Sequence, residues 1–587
     1  MPASLVDGNS LLAVDVGASN TRAVLFDVVE GEYRFLAQGT APSTAEAPFK
    51  DVSEGARNAI ANLQSIVGRN LLDGSRDLIT PSQANGSGVD AMVVTISAGA
   101  TIKAVIVGLL KDVSLESARR LTASTYARVV DTIGLNDSRK PEQQIDSILR
   151  LRPDLVVITG GTDGGASRSI HKLLDPIGLA SFLLPADKRP SVLFAGNQKM
   201  EEDVKGLVGS LSSSLHFAPN VRPSLETEDL DPAERELAHM FVGIRKRQIK
   251  GVDLLNLWSG GHILPTAYAT GRMVRFLAKI YSSSKGILSI DLGASAAVIA
   301  AGFKGSSTLN VYPQFGLGEN LVELLNYTTL EDILRWSPLD ISTGVLRDYL
   351  HQKALYPNAI AGTKEDLAIS QSIARQALYL SMQSANLDFP RNIARIKPTL
   401  TPLFEPILVG GGALSDASRP GQSLLLLLDS IQPVGVTTVI LDQNNLLPLL
   451  GAAASQNNIL PVQVMESGAF LSVGTVVSPV VSAAYGASIL RAKLTYENGT
   501  EARVDLKYGS LETLPLPSGE VGKLTIQLMR GVDIGFGPGR TPRDGFSVAG
   551  GALGVVFDGR GRPLNLPTDG VRRRELLKKW NWSLGGE

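Results

Sequence analysis

The sequence contains no cysteine. This absence excludes structural disulfides, thiolate nucleophiles, cysteine-ligated zinc and cysteine-held iron–sulfur clusters. The chain also lacks an excess of charge of either sign, because 56 Lys and Arg residues are matched by 57 Asp and Glu residues, for a net charge of -1. No overall basic field is therefore present to attract nucleic acid or an anionic membrane. We expect small molecules and other proteins as partners, and neither nucleic acid nor a membrane.

Long hydrophobic runs are missing as well. The N-terminal segment 1–10 has no basic stretch, and the apolar run at 424–428 is far shorter than the roughly 20 residues that a membrane-spanning helix needs. These features predict neither a signal peptide nor a transmembrane helix, and together with the absence of cysteine they favour the cytoplasm. At 587 residues the chain is too long for one core, and its length predicts about three to five domains.

Two segments share one pattern: LLAVDVGASNTRAVLFDV at 11–28 and GILSIDLGASAAVIAAGF at 286–303. Each has an apolar strand that ends in Asp-x-Gly, then small residues, then a second apolar strand. A single such turn is common, whereas the pair indicates a duplicated hairpin. Because small residues leave the backbone N–H groups accessible, each turn is suited to bind phosphate. The expected phosphate-binding residues are Gly17, Ala18, Ser19, Asn20 and Thr21 in the first hairpin, and Gly293, Ala294 and Ser295 in the second.

The aspartates that precede the two turns, Asp15 and Asp291, are the candidate metal ligands and catalytic residues. A carboxylate at this position holds Mg²⁺, usually through water, while the metal bridges the phosphates. A third motif places Gly410, Gly411 and Gly412 between a predicted strand and a helix, where the backbone can approach an adenosine or its phosphates. Taken in this order, the three motifs predict ATP with Mg²⁺ as the cofactor.

This order of motifs, across residues 11–455, resembles the actin-like ATPase superfamily, which also contains sugar kinases and Hsp70 chaperones. Within it, the segments 97–109, 152–165 (RPDLVVITGGTDGG), 265–295 and 439–454 (VILDQNNLLPLLGAAA) resemble the MutL/GlmL family, which is associated with the adenosylcobalamin-dependent glutamate mutase. The resemblance implies an ATP-binding, chaperone-like or reactivating accessory protein whose protein partner is a B12-dependent mutase. It also implies a nucleotide bound between two lobes.

The expected fold is α/β: a two-lobed actin-like ATPase (ribonuclease H-like) fold with an inserted parallel α/β domain and a C-terminal β-rich domain. Residues 1–101 form part of the first lobe, with the first phosphate hairpin. Residues 102–225 alternate strands and helices and predict the insertion. Residues 226–460 complete the first lobe and form the second, with the second phosphate hairpin and the adenosine motif. Residues 461–587 show short alternating strands and predict the β-rich domain.

The second hairpin departs from the family pattern. It continues with Ala296, Ala297 and Val298, where relatives tend to have hydroxyl and acidic residues. Side chains that orient the attacking water are therefore missing there, and the sequence supports ATP binding better than hydrolysis. A weak ATPase is one reading. A small-molecule kinase, which needs a carboxylate base, and a nucleotide-binding scaffold without turnover are the alternatives.

Three further residues have two interpretations each. Lys103 either reaches a phosphate or protects the edge of a sheet. Asp163, in a Gly-rich loop at the carboxyl end of a predicted parallel strand, either contacts a ligand or forms a turn. Asp442 either contacts a ribose or caps the helix that follows it.

Overall fold

The structure is a computed structural model that describes residues 9–281, 284–415 and 419–586. Residues 1–8, which form most of the segment used in the signal-peptide prediction, lie outside the described residues. None of the described helices is long and apolar enough to cross a membrane. The chain begins with β1 (Leu11–Val16), β2 (Asn20–Val29), β3 (Glu32–Pro42), α1 (Val52–Val67) and β4 (Ala91–Ile96).

A parallel α/β unit follows these elements. Its strands and helices alternate as β5 (Ile102–Gly108), α2 (Glu116–Ala123), β6 (Ala127–Gly134), α3 (Pro141–Leu151), β7 (Leu155–Ile158), α4 (Ser167–Leu183), β8 (Ser191–Phe194), α5 (Glu201–Val208) and β9 (Ser214–Phe217). The strands form one sheet in the order β6-β5-β7-β8-β9, with every pair parallel. The crossover helices that a parallel sheet requires are the ones the alternating pattern predicts.

The chain then completes one lobe and builds a second. The elements are α6 (Asp231–Gln248), α7 (Val252–Trp258), β10 (Ile263–Pro265), α8 (Thr266–Ile280), β11 (Gly286–Leu292), β12 (Ala297–Phe303), β13 (Ser306–Tyr312), α9 (Leu330–Leu334), α10 (Thr343–Leu355), α11 (Lys364–Asp388), β14 (Phe404–Gly410), α12 (Gly412–Ser415), α13 (Pro420–Ser430), β15 (Gly435–Leu441) and α14 (Leu446–Ala453).

The two lobes repeat one strand order. In the first lobe the sheet runs β3-β2-β1-β4-β10, and in the second it runs β13-β12-β11-β14-β15. In both, the first three strands of the order are antiparallel to one another and the last three are parallel. The central strands β1 and β11 are buried almost throughout, which explains their continuous apolar sequence. This duplicated topology is the two-lobed actin-like ATPase fold, and the predicted fold class is confirmed.

The C-terminal segment is joined to the second lobe. It contains α15 (Leu460–Glu466), β16 (Leu471–Ser478), β17 (Ser488–Thr495), β18 (Glu501–Lys507), β19 (Leu511–Leu514), β20 (Val521–Leu528), β21 (Phe546–Ala549), β22 (Val555–Asp558) and α16 (Gly570–Ser583). β16 pairs with β15, β22 pairs with β16, and β19 pairs with β22, so these strands extend the sheet of the second lobe. The other strands form a separate sheet in the order β18-β17-β20-β21. The β-rich segment thus shares a sheet with the lobe that precedes it.

A hydrophobic cluster connects the lobes behind the cleft. It contains Leu11 of β1, Ile287 of β11 and Leu408 of β14, together with Leu446 and Leu450 of α14. Helix α14 follows β15 of the second lobe and packs against α8. This crossing places the residue just before α14, Asn445, at the first-lobe hairpin.

Candidate functional site

The two hairpin turns have the same backbone geometry. The Gly17 N–H donates to the Asn20 carbonyl oxygen at 3.0 Å, and the Gly293 N–H donates to the Ala296 carbonyl oxygen at 3.0 Å. Glycine is required at position 17 because a Cβ there would lie 2.8 Å from the Asn20 oxygen. The repeated Asp-x-Gly pattern therefore reflects a repeated structure.

The tips of both hairpins lie on one cavity. It has a volume of about 450 Å³ and is lined by Ala18 of the first hairpin and by Ala294 and Ser295 of the second. The Ser295 hydroxyl is buried and has no hydrogen-bond partner among the described residues. A hydroxyl without a partner beside exposed backbone is a donor available to an anionic ligand.

In each lobe, the loop that follows the third strand donates a backbone hydrogen bond to the hairpin tip. After β3, the Ser43 N–H donates to the Ser19 carbonyl oxygen at 2.8 Å. After β13, the Gly318 N–H donates to the Ala294 carbonyl oxygen at 2.9 Å. Each tip is thus held by its own lobe, and the space between them depends on how the lobes are arranged.

The inserted domain forms another wall of the cavity. Thr101, Lys103 and Arg128 line it. Lys103 lies on β5, an inner strand, so the edge-protection reading of this lysine is wrong. Its ammonium group has no ion-pair partner in the part of the chain that the structure describes. Across the cavity wall, Arg128 pairs with Glu323 at 2.7 Å, and the Asn320 amide donates to the Thr101 hydroxyl at 3.0 Å.

Sequence patterns missed further residues of this cavity: Glu46, Glu319 and Tyr126. The two glutamates lie in the loops that brace the hairpin tips. Tyr126 immediately precedes β6. Burial raises the pKa of its hydroxyl, and the Asp291 and Asp15 carboxylates raise it further, so the hydroxyl lies in the field of both aspartates. Both glutamates follow the third strand of their repeat, β3 or β13, and this shared position is the sequence feature that could have identified them.

Asp15 is a buried, fully engaged carboxylate. Its Oδ1 accepts hydrogen bonds from the Thr95 hydroxyl at 2.7 Å and the Thr266 hydroxyl at 3.0 Å. Its Oδ2 accepts from the Asn445 amide at 3.1 Å and lies 4.0 Å from the Arg22 guanidinium. Burial raises the pKa of this carboxyl, and Arg22 and the hydrogen bonds oppose the rise. Asp15 therefore connects β1, β4, α8 and the start of α14.

Asp291 lies in a different environment, although it has the same sequence motif. Its neighbours in the sheet are Val298 on β12 and Gly410 on β14, and neither has a side-chain donor. No described residue donates a hydrogen bond to its carboxylate. Burial raises its pKa to about 7, with a further contribution from the Asp15 carboxylate. The two aspartates are not equivalent, and Asp291 is the one with free oxygens.

The glycine run at 410–412 lies beside Asp291 and does not line the 450 Å³ cavity. A Cβ at Gly410 would stand 3.6 Å from the Asp291 Oδ2. Gly411 has φ +86°, and a Cβ there would lie 2.5 Å from the Leu292 nitrogen. Gly411 is thus needed for the close approach of β14 to β11. Gly412 begins helix α12.

The remaining candidates have local partners. The Asp442 carboxylate accepts from the Leu446 and Leu447 N–H groups at 2.8 and 2.7 Å, so it caps α14, as the capping interpretation predicts. Asp163 is exposed, and its Oδ1 accepts from the Asn220 amide at 2.9 Å within the loop. Neither residue lines the cavity between the hairpin tips.

The residues present fit a metal-bound polyphosphate. The cavity offers backbone amides, the Ser295 hydroxyl and the unpaired Lys103, which suit phosphate oxygens, and its volume is in the range of small-ligand sites. Among the described residues, no group of three or more His, Cys, Asp or Glu side chains is placed to hold a metal ion. Asp291 does not itself line the cavity, so a divalent ion bound there would take water and phosphate oxygens as ligands and would meet Asp291 through that water.

A protein-family model described as "MutL protein" matches residues 11–468. The chain belongs to the MutL family. This MutL-family chain is similar to Protein MutL from Clostridium tetanomorphum, with 22% identity over 362 residues that cover 56% of this chain and 74% of that protein. The family match includes both hairpins, the insertion and the glycine run, and it ends before β16.

Solved structures with distant similarity include the ethanolamine utilization protein EutJ from Carboxydothermus hydrogenoformans (TM-score 0.28, 9% identity, 77% of this chain and 91% of that chain). They also include a diol dehydratase-reactivating factor in nucleotide-free form (TM-score 0.29, 10% identity, 78% of this chain and 99% of that chain). These scores are too low to carry an argument. The fold assignment of this MutL-family chain rests on its repeated strand order.

Proposed function

We propose that this protein binds Mg-ATP between its lobes and acts as a nucleotide-dependent accessory of an adenosylcobalamin-dependent mutase. The observation that supports ATP binding best is the cavity shared by both hairpin tips, with the unpaired Lys103 and the unpartnered Ser295 hydroxyl on its wall. The mutase partner is supported by membership of the MutL family and by the family's association with glutamate mutase.

The chain's own groups divide the work as follows. The Gly17 and Gly293 amides close the two turns, so the backbone amides available to phosphate oxygens are those of Ala18, Ala294 and Ser295, which line the cavity. Lys103 supplies the positive charge. Asp291 would hold Mg²⁺, and the ion would supply positive charge to the phosphates. Asp15 keeps the first hairpin in register through its hydrogen bonds to Thr95, Thr266 and Asn445.

Nucleotide binding is coupled to the inserted domain through contacts at the cavity wall. The Arg128–Glu323 ion pair and the Asn320–Thr101 hydrogen bond join the insertion to the second lobe beside the phosphate site. A ligand that draws Lys103 and the second hairpin together favours the arrangement in which these contacts form. The insertion is therefore the part of the molecule expected to present the nucleotide state to a protein partner.

Calorimetric titration with ATP and Mg²⁺ tests the binding proposal. Lys103→Ala removes a charge-assisted contact to phosphate and should raise the Kd about 10- to 100-fold. Lys205→Ala, an exposed lysine of α5, is the matched control and should leave the Kd unchanged. Absence of saturable binding at millimolar ATP, or equal Kd values for Lys103→Ala and wild type, would contradict the proposed site. Asp15→Ala is a poor probe because Asp15 holds the cleft together.

The mutase half of the proposal has its own assay. A glutamate mutase whose cofactor has been damaged during turnover is incubated with this protein and intact adenosylcobalamin, with and without Mg-ATP. We expect mutase activity to return only when protein and ATP are both present. If the activity does not return and the two proteins do not associate, the mutase partner is wrong and the ATP site is unaffected.

A further inference from the structure

The second hairpin brings one hydroxyl, that of Ser295, and no carboxylate to the wall of the cavity. Ala296, Ala297 and Val298 are buried among apolar side chains, so none of them can deprotonate or orient water. From the sequence alone, this favours a protein that binds ATP without hydrolysing it. The cavity nevertheless contains carboxylates that come from other parts of the chain.

The glutamates that line the cavity differ in their partners. Glu323 is paired with Arg128 at 2.7 Å. The carboxylates of Glu46 and Glu319 have neither a hydrogen-bond donor nor an ion-pair partner within residues 9–281, 284–415 and 419–586. Glu319 is exposed, whereas Glu46 is half-buried. Glu46 therefore combines free acceptor oxygens with limited access to bulk water.

The loop that carries Glu46 is fixed to the first phosphate hairpin. The Ser43 N–H donates to the Ser19 carbonyl oxygen at 2.8 Å, and the Lys50 N–H donates to the Glu46 carbonyl oxygen at 3.0 Å. Both bonds hold the backbone on either side of the Glu46 side chain. The backbone that carries Glu46 is thus fixed to the hairpin whose tip residue, Ala18, lines the same cavity.

The charges that face Glu46 come from both lobes. Burial raises the pKa of its carboxyl, and Glu319 of the second lobe raises it further, whereas Arg245 and Lys50 oppose the rise. A carboxylate with a raised pKa is a stronger base than one with an ordinary pKa. Glu46 is therefore better suited to accept a proton than an exposed glutamate is.

We infer that Glu46 is the general base for ATP hydrolysis in this cavity, which rests on the proposed ATP site. Glu46 takes a proton from a water molecule as the water oxygen forms a bond to the γ-phosphorus. The bond from that phosphorus to the oxygen that bridges the β- and γ-phosphates breaks, and its electron pair stays on the bridging oxygen, which leaves as part of ADP. Glu46 then gives its proton to the released phosphate and is a carboxylate again.

The test measures ATP binding and phosphate release on the same samples of wild type and Glu46→Gln. The amide has the size of the carboxyl but cannot act as a base. The kcat for phosphate release should fall about 100-fold or more, while the Kd for Mg-ATP stays within about threefold of wild type. Glu512→Gln, on the exposed face of β19, is the matched control and should behave as wild type.

A second variant separates a catalytic role from a structural one. Glu319→Gln removes a negative charge that contributes to the raised pKa of Glu46. The acid limb of the pH–rate profile of this variant should therefore lie at lower pH than the acid limb of wild type. Wild type that binds ATP without releasing phosphate, or Glu46→Gln with an unchanged kcat, overturns the inference and leaves ATP binding intact. Absence of ATP binding in wild type overturns the inference together with the proposed function.

Discussion

Arg560 is the residue whose loss tests most directly how the C-terminal segment is joined to the second lobe. Its side chain is completely buried. It donates to Asp429 on α13 at 2.6 Å and to Asp558 at the end of β22 at 2.9 Å. Its guanidinium also lies 4.8 Å from the ring centroid of Trp580 on α16. One side chain therefore connects the lobe to both the last strand and the last helix of the chain.

Arg560→Met keeps most of the volume but removes three hydrogen bonds to buried carboxylates, whereas Arg375 still pairs with Asp429 and Arg562 with Asp558. A hydrogen bond to a charged group contributes about 1.5–3 kcal/mol, and because each carboxylate keeps one arginine, we expect a total loss of about 3–5 kcal/mol. For a cooperative unit of about 280 residues, this loss lowers the Tm by about 5–8 °C. Differential scanning calorimetry measures the shift. Arg491→Met, at an exposed ion pair of β17, is the control and should change stability by less than about 0.5 kcal/mol.

The pH dependence of this effect has a defined sign. Burial raises the pKa of the Asp558 carboxyl, but Arg560 and Arg562 outweigh burial and hold it well below its usual range. A depressed pKa in the folded state stabilises the protein above the unfolded value of about 4, and this stabilisation is lost as the pH falls below that value. The Tm difference between wild type and Arg560→Met should therefore narrow below about pH 4. The expected shift assumes that the second lobe and the C-terminal segment unfold together. If Arg560→Met leaves the main unfolding transition unchanged in calorimetry and shifts only a minor one, the two do not unfold as one unit.

Further substitutions test the cleft itself. In urea unfolding, Gly411→Ala should destabilise the protein by more than about 3 kcal/mol, because the added Cβ clashes with Leu292 and also occupies an unfavourable positive φ. Gly305→Ala is the control: it has φ +84° but open space around the Cβ, and it should cost about 1–2 kcal/mol. Equal effects of the two would contradict the close approach of β14 to β11. Asn445→Gly keeps the positive φ of 53° and loses the hydrogen bond to Asp15, so it should lower stability by about 1–3 kcal/mol. Stability within error of wild type would show that this bond does not hold the lobes.

The features that the sequence predicts well are those set by local pattern. The Asp-x-Gly turns and the alternation of strands and helices in the insertion each depend on neighbouring residues, and the structure contains them. Strand pairing over long distances has no such local signal. β16 and β22 are mostly buried and join the sheet of the second lobe. The local pattern of short strands after residue 460 contains no sign of this pairing, so it predicts a separate domain. Glu46 follows the third strand of the first repeat, but the sequence does not show that it shares a cavity with residues of the second lobe, because that contact is tertiary.

The two hairpins show how one motif acquires two roles. In the first lobe, the strands on either side of the aspartate place Arg22 and Thr95 next to it, and both engage its carboxylate. In the second lobe, the corresponding positions are Val298 and Gly410, which offer no side-chain donor. The two hairpins thus share one backbone turn, while different residues at two neighbouring positions give Asp15 hydrogen-bond partners and leave the Asp291 carboxylate without a described donor. The asymmetry of the cleft follows from those neighbours, and it is the reason that the proposed Mg²⁺ site is at Asp291 rather than at Asp15.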